Sequence, residues 1–253
     1  MIRVFESPLE AAYACASQVL EILTEVTKGG RDATFAVSGG STPKLMFEAL
    51  AASRFDWSRV HQFWVDERCV PPTDEQSNYK LAKECFIDPA GMPDANVHRV
   101  FGEYDPVAAA AEYSDSLRMH FAGTPVFDVI HCGMGPDAHT ASLFPGDDLV
   151  NDRLGLAAAV YAPKLPNWRV TLLPGVLLKA RHTLMLVTGA DKADTLHKVM
   201  RGPVDALAHP VQLIARQSTS KVVWFLDRPA AVRVGEQHGF CFPLVDIGRG
   251  GLV

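Results

Sequence analysis

The chain has 253 residues, 48% of them hydrophobic and 21% charged, with a formal net charge of −5. That length supports a core without disulfide or metal staples and suits one large domain or two small ones. The acidic balance excludes overall charge as a basis for nucleic-acid binding, which needs a basic patch.

Leu9, Ala12, Tyr13, Ala16, Val19, Leu20, Leu23 and Val26 recur at helical spacing and predict an amphipathic helix over 8–28, ended by Gly29-Gly30. Ala33–Val37 reads as a buried strand, followed by a Gly-rich turn and a helix beginning near Pro43. A second strand over 60–65 leads into a polar, Pro-broken loop over 66–76, and Ser77 suits the cap of a helix over 78–86. An Ala-rich helix over 107–121 precedes a strand over 126–132. Later strands fall over 183–187 and 222–226, with a helix over 190–200 between them. This alternation predicts an α/β fold with a largely parallel sheet. No repeat, low-complexity tract or interdomain linker is visible, so 1–253 reads as a single domain.

Five cysteines, Cys15, Cys69, Cys85, Cys132 and Cys241, form no CxxC pair and no zinc-ligand spacing. An odd count favours free thiols in a reducing compartment. Residues 1–16 carry Glu6 and Glu10 and no long apolar run, unlike a secretory leader. No run approaches the ~18 apolar residues of a membrane span. The expectation is a cytoplasmic protein without membrane or nucleic-acid partners.

Three segments carry candidate chemistry. Ser38-Gly39-Gly40-Ser41-Thr42-Pro43 lies between a strand and a helix. Its glycines permit close backbone approach, Ser41 or Thr42 can cap the helix, and the exposed amides suit a phosphate. A tight turn with a good cap is the plain alternative. Asp66-Glu67-Arg68 leaves the second strand, and three adjacent charges ordinarily mark a solvated loop.

The loop from Gly133 to Gly146 is the most informative segment. Strands of open α/β sheets deliver ligand-binding loops at their carboxyl ends, and this one carries Asp137 and His139 framed by Gly and Pro. An imidazole exchanges protons near neutral pH, which makes His139 the candidate general base. Asp137 either orients the ring or binds a substrate hydroxyl, and Thr140 and Ser142 organise the loop. The other eight histidines read as structural. Residues 133–138 fit GxGxxG/A, but Pro136 and the polar continuation suit a dinucleotide turn poorly. His131, Cys132, Asp137 and His139 match no metal-ligand spacing, so no metal is expected. The chain lacks a GxSxG nucleophile elbow.

With SGGSTP at 38–43 and VDERCVP at 65–71, the 133–146 loop resembles the 6-phosphogluconolactonase family. SNY at 77–79, RVTL at 169–172, GADK at 189–192 and WFLD at 224–227 follow in the family's order, covering roughly 5–230. The segment 234–253 falls outside the resemblance, and the family usually has glycine where this chain has Ala138. The resemblance implies a three-layer α/β/α, Rossmann-like domain shared with sugar-phosphate isomerases and deaminases. It implies hydrolysis of 6-phospho-D-glucono-1,5-lactone in the pentose phosphate pathway by water that His139 activates, without a cofactor, in a monomer or homodimer.

Ser38, Gly39, Gly40, Ser41, Thr42, Arg68, Arg169 and Lys192 would then hold the phosphate, and Asp66 would contact sugar hydroxyls. Glucosamine-6-phosphate deaminases share the Asp66 position and the GPD-x-H loop. They usually carry glutamate where this chain has Phe144, and an aromatic residue where it has Arg68. A non-catalytic sugar-phosphate sensor on the same scaffold is a further alternative; the retained Asp137, His139 and three basic residues argue against it.

Overall fold

A computed structural model describes residues 1–162 and 167–234; Cys241 and the segment 235–253 lie outside the described residues. In chain order the elements are β1 (Ile2–Phe5), α1 (Pro8–Lys28), β2 (Ala33–Val37), α2 (Ser41–Ala51), β3 (Val60–Trp64), β4 (Asp66–Arg68) and α3 (Asn78–Ala82). A π turn over Lys83–Ile87 leads into α4 (Asp88–Ala90), then β5 (Val97–His98), α5 (Pro106–Phe121), β6 (Val129–Cys132), β7 (Ala157–Ala162) and β8 (Asn167–Leu172). The rest are α6 (Pro174–Leu177), β9 (His182–Val187), α7 (Ala193–Arg201), β10 (Lys221–Asp227) and α8 (Arg228–Ala231).

Seven strands form a parallel sheet in the order β1-β10-β9-β6-β2-β3-β5. The interior strands β2 and β6 are buried along their whole length, as a sheet covered on both faces requires. The helices that cover it show local reasons for their positions. Ser7 accepts a hydrogen bond from the Glu10 amide at 3.2 Å and Pro8 opens the first turn of α1, a favourable start because that turn has no intrahelical acceptor for its amides. Asp105 caps α5 the same way, receiving the Val107 and Ala108 amides. Among the described residues no helix is long and apolar enough to cross a membrane.

Strand order decides where a site forms. From β2 the chain runs outward to β3 and β5, whereas β6 takes the opposite flank of β2. The loops after β2 and β6 therefore diverge and leave a crevice at the carboxyl edge. The 38–43 turn and the 133–146 loop leave from the two sides of it.

The structure corrects several expectations. Residues 66–68 are a strand, not the start of a loop, because they pair antiparallel with β8 in a second sheet ordered β4-β8-β7. Asp66 and Glu67 are buried rather than solvated. The helix after β2 begins at Ser41, and its cap is Gly40 at φ +113°, with no side-chain capping bond; neither Ser41 nor Thr42 caps it, so its first amides are left for another acceptor. The strand expected over 126–132 pairs only from Val129. The helix after β9 starts as a 3₁₀ turn at Ala190.

Candidate active site

A cavity of ≈ 190 Å³ opens at the carboxyl edge of the parallel sheet. It brings together Ser38, Gly39, Gly40, Ser41, Thr42, Asp66, Arg68, His139, Arg169 and Lys192 from five separate segments. Asp137 does not line it but stands behind His139. Every residue expected at the site is thus at the cavity or one contact away from it.

One wall is built from the second sheet. Arg68 on β4 and Arg169 on β8 are directly opposed in the antiparallel register. Like charges placed opposite each other are unfavourable, so the pair makes sense around an anion. Asp66, on the same strand as Arg68, offsets part of the charge at 3.8 Å from Arg169 Nη1. Burial lowers the Arg169 guanidinium from its usual range, with Asp66 acting in the other direction; it remains a cation, since arginine is not deprotonated in proteins.

Glu67 points the other way and fixes the wall. Its carboxylate accepts the amides of Arg68, Asn78 and Tyr79, each at 2.7 Å, and the Ser77 hydroxyl at 3.1 Å. Burial pushes its carboxyl up to about 7, against the pull of those amides and of Arg68. Glu67 therefore orients Arg68 through the backbone and ties α3 to β4.

The opposite wall is the 133–146 loop. Asp137 Oδ1 lies 2.5 Å from His139 Nδ1. A carboxylate only accepts, so Nδ1 carries the proton and the lone pair belongs to Nε2. The imidazole packs directly on Gly135, where an added Cβ would stand 2.1 Å from the ring. A tight turn holds this arrangement, with Gly135 donating to the His139 carbonyl and Ala138 to the Gly135 carbonyl. Ala138 sits at φ +67°, in the left-handed region where the family's usual glycine is unstrained. No helix follows the turn, so the apparent dinucleotide pattern has no phosphate-binding helix.

Thr140 and Ser142 organise the loop as expected. Thr140 donates to the Gly133 carbonyl at 2.9 Å and Ser142 to Asp66 at 2.7 Å, joining the two walls. Lys192 reaches the cavity from the turn before α7 and pairs with Asp191 at 2.5 Å. Thr195 of α7 donates to the Pro136 carbonyl.

Sequence reasoning passed over Asn78, His131 and Thr188 as site residues. Asn78 lay in the SNY motif, and its side chain fills the space that Gly39 leaves: a Cβ at Gly39 would stand 1.9 Å from Asn78 Oδ1. His131, next to last in β6, is buried at the cavity, and burial lowers it to about 3, so it is a neutral ring. Nothing in the local pattern marks it. Buried polar atoms without a protein partner gather here: Ser38 Oγ, Arg68 Nε, Asn78 Oδ1, both His131 nitrogens and Arg169 Nε. Such groups are costly unless a polar ligand or water meets them.

These features describe a polar, cation-lined cavity at the carboxyl edge of an open α/β scaffold, and comparison with known proteins gives the family. Residues 6–224 match the model described as glucosamine-6-phosphate isomerases/6-phosphogluconolactonase, and the chain belongs to that family. Within it, the chain is 36% identical over 218 residues to a 6-phosphogluconolactonase of Nostoc sp., covering 83% of this chain and 88% of that one. A solved 6-phosphogluconolactonase from Trypanosoma cruzi superposes with a TM-score of 0.83 at 25% identity, over 92% of this chain and 96% of that one. A monomeric glucosamine-6-phosphate deaminase, 17% identical with a TM-score of 0.78, shares the fold alone over 92% of this chain and 99% of its own. Where the deaminases usually carry glutamate, this chain has Phe144, whose ring lies 5.1 Å from that of His139.

Proposed function

We propose that the chain hydrolyses 6-phospho-D-glucono-1,5-lactone to 6-phospho-D-gluconate in the oxidative pentose phosphate pathway, with His139 as general base and the opposed Arg68–Arg169 pair as phosphate clamp. The observation that carries this reading is a carboxylate-oriented imidazole and two opposed guanidiniums on facing walls of one small cavity.

The substrate's phosphate is anchored by Arg68, Arg169, Lys192 and the first amides of α2, which Gly40 leaves uncapped. A phosphate monoester carries nearly two charges at pH 7, and charge-assisted bonds from planar guanidiniums and a helix N-terminus suit it. That anchor positions the lactone carbonyl next to His139, so binding energy from the non-reacting end is spent on orientation. His139 Nε2 takes a proton from water as the water oxygen attacks the carbonyl carbon. Asp137 stabilises the resulting imidazolium. When the tetrahedral intermediate collapses, the ring C–O bond breaks and the imidazolium returns the proton to the departing oxygen. The route needs neither cofactor nor covalent enzyme intermediate.

Phe144 beside His139 removes the carboxylate that would support ring opening and amine chemistry, which favours the lactonase over the deaminase. The substrate is a small molecule, and Cys15, Cys69, Cys85 and Cys132 are unpaired thiols that fit a cytoplasmic setting. The test is turnover of freshly generated phosphogluconolactone by purified protein, corrected for spontaneous opening, alongside ammonia release from glucosamine 6-phosphate. Lactone turnover without ammonia release is the expected result. Saturable binding without turnover would make the protein a sensor.

A further inference from the structure

At the far edge of the parallel sheet, away from the catalytic cavity, three imidazoles converge. We propose that His61, His98 and His120 form a binding site for one divalent first-row transition metal of the zinc type. Their ligating nitrogens all lie within 4.8 Å of one another. None of the three lines the catalytic cavity.

The fold brings them together from three elements. β5 pairs with β3 so that His98 stands opposite Phe63, and His61 precedes Phe63 by two residues on the same face of β3. His120 comes from the last turn of α5. His61 Nδ1 and His98 Nε2 are 3.0 Å apart. Two Zn–N bonds of about 2.0–2.1 Å at a tetrahedral angle put their nitrogens about 3.3 Å apart, so a small ring rotation admits the ion. Phe63 stacks flat on His98, with centroids 4.3 Å apart and planes 9° apart, and meets His120 edge-on. The aromatic support restrains two of the three ligands before any ion arrives.

The chemistry of the donor set fits. Metal ligation needs neutral imidazoles. A neutral imidazole carries one lone-pair nitrogen, and tautomer exchange brings it to the shared centre on each ring. Imidazole suits zinc, copper and nickel, whereas magnesium and calcium prefer oxygen. A groove of ≈ 450 Å³ lined by Tyr79, Arg99 and Glu112 has His98 in its wall. With three protein ligands, the fourth position falls to water, and the ion would tie the edge strand β5 and the end of α5 to β3.

The test is calorimetric titration of chelator-treated protein with Zn²⁺, and with Co²⁺ for its visible ligand-field spectrum. Expected is saturable binding at about one equivalent. A hundredfold excess of Zn²⁺ over Kd should raise Tm by about 5–10 °C. His98→Gln and His120→Gln should each weaken binding at least tenfold with lactone turnover unchanged, while His139→Ala should retain the site. Should either glutamine variant fold poorly, imidazole NMR of the unaltered chain decides: Zn²⁺ should shift the ring resonances of these three histidines. No saturable binding, or binding lost in His139→Ala and kept in His120→Gln, overturns the assignment.

Discussion

The proposed general base and the trio at the sheet edge differ in what surrounds the ring. His139 is partly exposed, its side chain 30% accessible, and hydrogen-bonds to a carboxylate at the wall of a polar cavity. His61, His98 and His120 instead face one another and Phe63. A carboxylate neighbour stabilises a ring that must take up a proton and give it back. A neighbourhood of rings instead turns several imidazole nitrogens toward one point. The same side chain is thus prepared for proton transfer in one place and for coordination in the other.

The sharpest division between the two regions lies in turnover. His139→Ala should lower kcat by about 10² to 10⁴, the usual contribution of general acid–base catalysis, with KM nearly unchanged. A KM effect in place of the kcat effect would move His139 into binding and erase the contrast. Arg169→Met should act in the opposite way. Loss of a desolvated guanidinium proposed to hold the phosphate should raise KM by about 10–100-fold, equivalent to roughly 1.4–2.8 kcal/mol. The discrimination against phosphate-free gluconolactone should shrink with it; equal losses on both lactones would show that Arg169 supports the wall rather than the phosphate.

His131 tests whether a buried neutral ring without partners is simply a liability. Its folded value of about 3 lies below the unfolded value of about 6.5. The unfolded chain therefore binds more protons between those values, and the contribution to stability, present above about pH 6.5, is lost as pH falls toward 3. At about 1.4 kcal/mol per pH unit, the loss from this residue between pH 7 and 5 is about 2 kcal/mol. His131→Leu should show that much less acid destabilisation in denaturant titrations at the two pH values. An unchanged difference would mean that His131 is not the acid-sensitive group.

The smallest effect is expected at Ala138. Relief of its left-handed backbone is worth about 1–2 kcal/mol, while Ala138→Gly adds about 0.4–1 kcal/mol of chain entropy to the unfolded state and removes a buried methyl worth about 0.8 kcal/mol. These terms nearly offset, so the midpoint in denaturant should correspond to a change under about 1 kcal/mol. A large gain would show that the loop carries strain the alanine alone imposes.

Much of the catalytic side was legible in the chain because its signals are short-range. A strand followed by Gly and Pro fixes a loop, and Asp137 reaches His139 across two residues. The dependence of α2 on Gly40 rather than on Ser41 or Thr42 was not legible, since all three residue types suit a helix start. The 66–68 segment was misread for a different reason: three charges look solvated until the partner strand is known. That strand, β8, lies far along the chain, and only its pairing with β4 sets Arg169 opposite Arg68.

Sequence by itself determined the α/β alternation and the two loops, 38–43 and 133–146, that meet at the cavity, because turn chemistry and strand hydrophobicity act between near neighbours. Only the tertiary structure decided the second sheet, the opposed guanidiniums, the buried His131 and the gathering of His61, His98 and His120. Those depend on strand order and register, which are set by packing of segments distant in the chain and leave no local pattern to read.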